Sequence, residues 1–257
     1  MHKKLILAST ILTAIVLLTL SICYLKGRRV GLLYYAHADK WDEVLRLIKS
    51  GADINLMDNY GNTVLMVASY FASEEVINDL LRYGADLDMR DNYGRTAILI
   101  AAQKSRFEIV HKFLDAGADI HVKDKRGQNL LSLAALNGDL FLARTLLGNG
   151  FNPDIKLESG WTPLCICLQS NNYSDIASRI QMVQLLMDYG ADIDYDNPDG
   201  YSYIMSHDSY IGTGRTSPEF YGSNALEIAQ NRHFAQIVEM LIKRGETGDS
   251  GAVEKVD

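Results

Sequence analysis

The residues best suited to chemistry lie in one short stretch, Ser206-His207-Asp208. Serine, histidine and aspartate can form a hydrolytic triad, in which the histidine activates the serine hydroxyl and the carboxylate orients the histidine. Triad members normally come from separate elements, because neighbours in sequence rarely converge on one substrate. We therefore interpret the stretch as a polar loop and predict no catalytic residue in it.

Three further patterns point away from enzyme chemistry. The "GTGR" sequence from Gly212 to Arg215 lacks the preceding strand and following helix that a phosphate-binding loop needs. Cys165 and Cys167 are two residues apart on a predicted helix, so they face different directions and do not bridge readily. The histidines have no partner at helical spacing that would complete a metal site. The sequence therefore predicts no metal, no cofactor and no enzyme activity.

The chain instead repeats itself. A glycine that usually opens a Gly-Ala-Asp sequence recurs at steps of 33, 33, 33, 40 and 55 residues, at Gly51, Gly84, Gly117, Gly150, Gly190 and Gly245. A fixed period of roughly 20 to 50 residues is typical of repeat arrays. Units of this kind stack because one unit cannot bury its apolar faces alone.

Each unit follows one pattern. A short apolar helix is followed by an amphipathic helix, and a glycine ends the second helix in the left-handed conformation. A polar turn comes next, such as "DNYG" from Asp58 to Gly61 or "DKRG" from Asp124 to Gly127. Aspartate opens such turns with its side-chain acceptor, and glycine closes them. The pattern predicts two helices and a hairpin-like turn in every unit.

This layout resembles the ankyrin repeat, which has the same length. The Thr-Pro-Leu of the family motif is intact at Thr162 to Leu164. Thr63 and Thr96 keep the threonine, while Asn129 and Asn224 replace it, and each can cap a helix with its side-chain oxygen. The resemblance extends from about Val30 to Gly245. It implies an all-α ankyrin-repeat solenoid of about six helix-turn-helix units with short β-hairpin loops.

Two insertions interrupt the period. One lies near residues 171–179, between the two helices of the fifth unit. The other covers residues 201–221 at a hairpin-loop position and contains Tyr203, Tyr210 and Tyr221. Insertions of repeat proteins lie in loops on one face, often the binding face, and tyrosine is common in binding loops. The alternative is that these aromatic side chains pack back on the last repeat.

An apolar segment precedes the repeats. Leu5 to Leu25 contains 21 residues without a charge, which is long enough to cross a bilayer as a helix. We divide the chain into an anchor or signal segment (1–29), an ankyrin domain (30–245) and a disordered acidic tail (246–257). The segment predicts a single-pass protein of the bacterial inner membrane with periplasmic repeats. The alternatives are a periplasmic protein after signal cleavage, or repeats that face the cytoplasm.

Charge is unevenly distributed along the chain. The formal total is −7, but residues 1–29 carry five basic and no acidic side chains, which leaves −12 for the rest. An acidic array is repelled by phosphate backbones, so we predict no nucleic-acid partner. It would attract a protein partner with a basic surface. The alternative is that the charge only keeps the chain soluble.

The resemblance also implies where a partner binds. In ankyrin proteins the variable residues lie at the hairpin tips and the ends of the first helices, which line a concave face. With the loop tyrosines, the predicted contact residues are Asn59, Tyr60, Asn62, Tyr70, Phe71, Asn92, Tyr93, Arg95, Lys104, Arg126, Gln128, Trp161, Tyr203, Tyr210 and Tyr221. We interpret Tyr60, Tyr93 and Trp161 as an aromatic row at one site of successive units. Such residues dominate interface energetics, although they could also stack on neighbouring hairpins.

These observations predict a non-enzymatic binding module that captures one protein and is monomeric when unbound. A concrete form, by family analogy alone, is an inhibitor such as an immunity protein that blocks a toxin. A second form is a scaffold that organises a membrane complex. A third hypothesis is an enzyme that uses the 201–221 loop, which would require Ser206, His207 and Asp208 to converge with residues of other units.

Overall fold

A computed structural model of the protein describes residues 31–194 and 224–247. The chain divides into two compact units, unit 1 up to Asn92 and unit 2 from Tyr93 onward. The described residues are helical and contain no strand; one isolated antiparallel bridge joins Lys123 to Asn129. The predicted all-α class is therefore confirmed for these residues, while the predicted β-hairpins are turns without regular strands.

The described part of unit 1, residues 31–92, contains two pairs of helices. Residues 31–37 form α1. The other helices are α2 (Trp41–Lys49), α3 (Val64–Phe71) and α4 (Glu74–Arg82). The first six residues of α3 are buried, because this helix is apolar on all sides. Helices α2 and α4 are amphipathic, with acidic residues in the first turn and basic residues in the last, which suits the helix dipole.

Unit 2 continues the same pairing. Its first helices are α5 (Ala97–Gln103), α7 (Leu130–Asn137), α9 (Pro163–Gln169) and α11 (Ala225–Asn231). Its second helices are α6 (Phe107–Asp115), α8 (Leu140–Gly148), α10 (Ile176–Asp188) and α12 (Ala235–Thr247). The first helices pack side by side in the order α5, α7, α9, α11, and α10 packs against α8 and α12. Stacked helix pairs therefore build the core of unit 2.

Side-chain caps begin most of the first helices, as the sequence predicts. Thr63, Asn129, Thr162 and Asn224 each accept a hydrogen bond from the backbone N–H three residues later. Thr96 is the exception, because its hydroxyl is buried and makes no hydrogen bond within the described residues. The prediction that every Thr or Asn of the motif caps its helix is thus wrong at α5.

The turn glycines are needed for two reasons. Gly127 has a φ of +76°, a conformation that residues with a side chain rarely adopt. A Cβ atom at this position would also lie 3.0 Å from the backbone nitrogen of Glu158 in the next turn. Gly117, which ends α6 with a φ of +89°, has open space around it, so only its conformation requires glycine there. Successive turns of unit 2 therefore pack closely, with Gly127 of one turn against the backbone of the next.

The insertion near 171–179 is partly loop and partly helix. Helix α9 ends at Gln169 and α10 begins at Ile176, and α10 has 13 residues where α6 and α8 have nine. The other insertion, residues 201–221, lies outside the described residues, as does the tail from 248 onward.

The predicted location in the bacterial inner membrane is corrected by the structure. Across residues 31–194 and 224–247, no helix combines the length and the apolarity needed to cross a membrane. The longest helices, α10 and α12, have 13 residues, and a helix needs about 20 apolar residues to span a bilayer. The segment from Leu5 to Leu25, on which the prediction was based, lies outside the described residues.

Candidate protein-binding surface

The hairpin turns are organised by an aspartate. In unit 1 the Asp58 carboxylate accepts hydrogen bonds from the backbone N–H groups of Tyr60 and Asn62, both at 2.8 Å. In unit 2 Asp124 accepts the equivalent bonds from Arg126 at 2.9 Å and Gln128 at 2.8 Å. The turn predicted from "DNYG" and "DKRG" therefore forms in both units and holds the tip residues in place.

The same turn changes the acidity of the two aspartates in opposite directions. Burial raises the pKa of Asp58, but the hydrogen bonds from Asn62, Tyr60 and His37 outweigh it, so this pKa lies below its ordinary value. At Asp124 burial dominates and raises the pKa despite hydrogen bonds from Arg126 and Gln128. The Asp124 turn is the more deeply buried of the two, since Asp124 is only 8% exposed.

Successive tips are joined by backbone hydrogen bonds. In unit 1 the Asn92 N–H donates to the Tyr60 carbonyl at 2.9 Å. In unit 2 the Lys125 N–H donates to Tyr93, and the Glu158 N–H to Arg126, also at 2.9 Å. Within each unit, the tips therefore form a row that is connected by backbone hydrogen bonds.

Side chains of unit 2 connect the tips to the ends of the first helices. The Arg95 guanidinium donates to Gln103 Oε1 at 3.3 Å and lies 5.0 Å from the centroid of the Tyr93 ring. Gln103 at the end of α5 in turn donates to Gln128 Oε1 of the next tip at 2.7 Å. These bonds make one continuous surface of tips and helix ends.

The helix ends are joined in the same way. Asn137 Nδ2 at the end of α7 donates to the Ala102 carbonyl of α5 at 2.8 Å. Asn172 Nδ2 donates to Asn137 Oδ1 at 2.8 Å. We call the resulting surface the unit 2 face, which consists of Tyr93, Arg95, Gln103, Lys104, Lys125, Arg126, Gln128, Asn137, Glu158, Asn171, Asn172 and Arg232.

The equivalent surface of unit 1 is aromatic and uncharged. Tyr60 is 67% exposed at its tip, and Phe71 is 49% exposed at the end of α3. The Phe71 ring contacts Trp41 at a centroid distance of 6.1 Å. We call this surface the unit 1 face, which consists of Asn59, Tyr60, Asn62, Tyr70, Phe71 and Asn92.

The predicted aromatic row does not continue to Trp161. The Leu157 N–H donates to the Trp161 carbonyl at 3.1 Å, as the Asp58 N–H donates to that of Asn62 at 3.0 Å. Trp161 therefore occupies the position of Asn62, one residue after the turn glycine, whereas Tyr60 and Tyr93 precede it. Trp161 is only 5% exposed at this position, so its ring belongs to the core. The interpretation of Trp161 as an exposed contact residue is wrong.

Arg95 also differs from the prediction. It is 9% exposed, because its guanidinium is held between Tyr93 and Gln103. Arg95 can position Tyr93 and Gln103, but it offers little surface of its own to a partner. Tyr93 and Lys104 are exposed, Arg126 and Gln128 are half-buried, and Tyr203, Tyr210 and Tyr221 lie outside the described residues.

One cluster of unit 2 was not anticipated from the sequence. The Arg179 guanidinium at the start of α10 donates to the carbonyls of Cys167, Leu168 and Ser170, which end α9. It lies between two rings, 4.5 Å from the Tyr173 centroid and 4.8 Å from that of Phe234. Burial lowers the pKa of this guanidinium. Arginine side chains remain charged in proteins at neutral pH.

A second guanidinium lies beside this cluster. Arg232, which follows α11, is 5.6 Å from the Phe234 centroid and donates to Asn171 Oδ1 at 2.7 Å. It makes longer bonds to the carbonyls of Gln169 and Ser170, at 3.3 and 3.5 Å. Burial and the neighbouring Arg179 lower its pKa. Arg179 and Arg232 lie in different repeat units of the sequence, so no local pattern indicated this cluster.

The two cysteines of α9 are buried, and burial raises the pKa of both thiols, that of Cys167 to about 12. A thiol is a poor nucleophile when it is protonated. These side chains therefore belong to the core of unit 2 rather than to a reactive site.

The two units differ in their balance of charged side chains. The described part of unit 1 contains five basic and eleven acidic side chains, and that of unit 2 contains 13 and 14. The unit 2 face has the opposite balance, with five basic side chains and one acidic side chain, Glu158. The expectation of a basic partner, which rests on the net charge of the whole chain, does not describe this face.

Stacked helix pairs joined by connected turns define a helical repeat protein. A family model described as "Ankyrin repeats (3 copies)" matches residues 32–124, 100–197 and 131–251. These matches cover most of the chain, which therefore belongs to the ankyrin repeat family. No curated protein matches the chain. Ankyrin repeats are generally protein–protein interaction modules and are typically not enzymes.

Proposed function

We propose that this protein is a non-enzymatic module that binds one partner protein through the unit 2 face. The observation that supports this most strongly is the hydrogen-bonded surface in which Gln103 and Gln128 connect tip to helix end and Asn137 and Asn172 connect one helix end to the next. Side chains that are fixed before binding lose little conformational entropy when a partner arrives. Lys104 and Lys125 are exposed on the same surface.

The unit 1 face supports binding in a different way. Tyr60 and Phe71 offer exposed aromatic area, which is enriched at the energetic centres of protein interfaces. The acidic side chains of unit 1 would favour a basic partner surface at this end of the chain, as the sequence predicts. Partner capture could serve as inhibition, as in an immunity protein that blocks a toxin, or as scaffolding of a complex. A partner whose activity falls on binding would indicate inhibition, and an unchanged activity would indicate scaffolding.

Site-specific photo-crosslinking in the native cell tests the proposal. A photoreactive amino acid replaces Lys104 or Lys125 on the unit 2 face, and Arg144 or Gln181 on the second helices serves as the matched control. All four residues are exposed. We expect one protein to be crosslinked from positions 104 and 125 and not from the controls. Equal crosslinking from all four positions, or from the controls alone, would contradict the proposal.

A further inference from the structure

The Arg179–Arg232 cluster is unusual because its charge is not neutralised within the described residues. No described carboxylate forms an ion pair with either guanidinium. Both approach the ring of Phe234, and their N–H groups donate to the carbonyls that end α9 and to Asn171. Among the described residues, the two positive charges are therefore surrounded by dipoles and a ring rather than by anions.

The two arginines differ in access. Arg179 is 5% exposed and is fully engaged with backbone carbonyls, so it acts as a fixed positive charge. Arg232 is half-buried, and two of its three hydrogen bonds to described residues are at least 3.3 Å long. Its closest partner is Asn171, an exposed residue of the unit 2 face. Arg232 can therefore exchange its weak bonds for a stronger acceptor from outside.

We propose that Arg232 and Asn171 form a carboxylate-binding subsite, and that the unit 2 face takes an acidic segment of the partner protein. This inference rests on the proposed binding function. A carboxylate is the acceptor that a guanidinium binds best, because it forms short, charge-assisted and often bidentate hydrogen bonds. The Asn171 side chain lies beside the guanidinium and can offer its amide N–H group to the same carboxylate.

Charge complementarity extends over the rest of the face. Lys104, Lys125 and Arg126 give it a positive field, which Glu158 and the buried Asp124 carboxylate beside Arg126 offset in part. A nucleic acid would also supply anions, but the whole chain has a formal charge of −7, which repels a long polyanion. A short acidic stretch of protein matches a local positive surface on an acidic molecule.

A displayed library of random peptides of about twelve residues, which reach roughly 40 Å when extended, provides the probe. The library is selected on the full chain, and each enriched peptide is titrated against variants. We expect enriched peptides to contain Asp or Glu. Their affinity should fall about 10- to 100-fold on Arg232→Gln, fall less on Arg232→Lys, and stay unchanged on the control Arg144→Gln.

A second variant tests the subsite without removing the arginine. Asn171→Asp places a carboxylate where Asn171 Oδ1 already accepts a hydrogen bond from Arg232. We expect this internal anion to raise the melting temperature and to abolish the binding of acidic peptides. Retained binding to Asn171→Asp, or enrichment of neutral or basic peptides, would overturn the carboxylate inference.

Tyr93→Ala separates this inference from the proposed function, since Tyr93 is an uncharged and exposed residue of the same face. Peptides whose affinity falls on Tyr93→Ala but not on Arg232→Gln would overturn only the carboxylate subsite. If peptide affinity changes with neither variant, or if the selection enriches no peptide, both the carboxylate subsite and the proposed binding function are overturned.

Discussion

The two units use the same turn and helix pair to present different surfaces. Unit 1 exposes Tyr60 and Phe71 and contains more than twice as many acidic as basic side chains in its described part. Unit 2 exposes amides and cations, with Tyr93 held beside Arg95, on a face whose side chains are hydrogen-bonded to one another. The backbone pattern is set by the buried positions and turn residues, so the exposed tips can vary without a change of fold.

The turn of unit 1 that contains Tyr60 and the turn of unit 2 that contains Trp161 differ in burial. Substitutions in them should therefore give the largest difference in the free energy of unfolding. We expect Trp161→Ala in unit 2 to lower the free energy of unfolding by about 3–5 kcal/mol, because it removes a large buried ring. Tyr60→Ala in unit 1 should change it by less than about 0.5 kcal/mol, because that ring is exposed. Urea denaturation followed by circular dichroism measures both. Similar costs for the two variants would contradict the assignment of Trp161 to the core.

Arg179→Met tests whether the buried guanidinium stabilises unit 2. Methionine keeps much of the packing but removes the guanidinium donor from the Cys167, Leu168 and Ser170 carbonyls. We expect a loss of about 3 kcal/mol in urea denaturation. Arg144→Met, an exposed position on α8, is the matched control and should lie within about 0.5 kcal/mol of the wild type. A cost below about 1 kcal/mol at Arg179 would show that the cluster is not a stabilising element.

Gly127→Ala and Gly117→Ala compare two glycines of unit 2 with similar φ values. Both substitutions place a side chain in the left-handed conformation, at a cost of about 1 kcal/mol. Only Gly127 has a neighbouring backbone 3.0 Å from the added Cβ atom, so its substitution should cost about 1 kcal/mol more. Melting temperatures of the two variants test this difference. Equal losses would mean that successive turns are not in close contact.

Asp58 and Asp124, which occupy equivalent turns, should give the smallest effect on stability, and that effect depends on pH. The folded pKa of Asp58 lies below 3.8, so its contribution to stability is present above pH 3.8 and is lost as the pH falls through the folded value. The folded pKa of Asp124 lies above 3.8, so its ionisation opposes folding, and this penalty disappears as the pH falls below 3.8.

Asn in place of each aspartate tests these signs. We expect Asp58→Asn to lower the melting temperature at neutral pH, equivalent to roughly 1 kcal/mol, because hydrogen bonds to a charged acceptor are stronger. Asp124→Asn should leave the melting temperature unchanged or raise it. The difference between the two variants should shrink as the pH falls to 3.8 and below, where the Asp124 penalty has disappeared and the Asp58 contribution is being lost. A larger loss for Asp124→Asn at neutral pH would reverse the assignment.

The sequence predicted what depends on local patterns. The 33-residue step, the capping residues Thr63 and Asn129 and the Asp58 and Asp124 turns all rest on short-range rules, and the structure has them. Thr96 was mispredicted, because its position fits the motif while its buried hydroxyl makes no hydrogen bond to any residue that the structure describes. Trp161 was placed at an exposed tip because it was matched to Tyr60 and Tyr93 as an aromatic residue. Its position relative to the turn glycine, which it follows, was not used.

The Arg179–Arg232 cluster could not be read from local patterns. Its members come from the link after α9, the start of α10 and the residues around the start of α12, and they meet only when successive helix pairs stack. The same holds for the charge of the unit 2 face, since the net charge of the chain conceals a local excess of cations. The interaction partner's chemistry therefore depends on the folded surface.

The most direct test of the account is the affinity of the crosslinked partner for surface variants, measured by isothermal titration calorimetry. Lys104→Ala/Lys125→Ala alters two exposed residues of the unit 2 face, and Arg144→Ala/Gln181→Ala alters two exposed residues of the second helices. We predict that the first pair weakens binding about tenfold or more and that the second leaves it unchanged. If the second pair weakens binding and the first does not, the partner binds the second helices and the central claim is wrong.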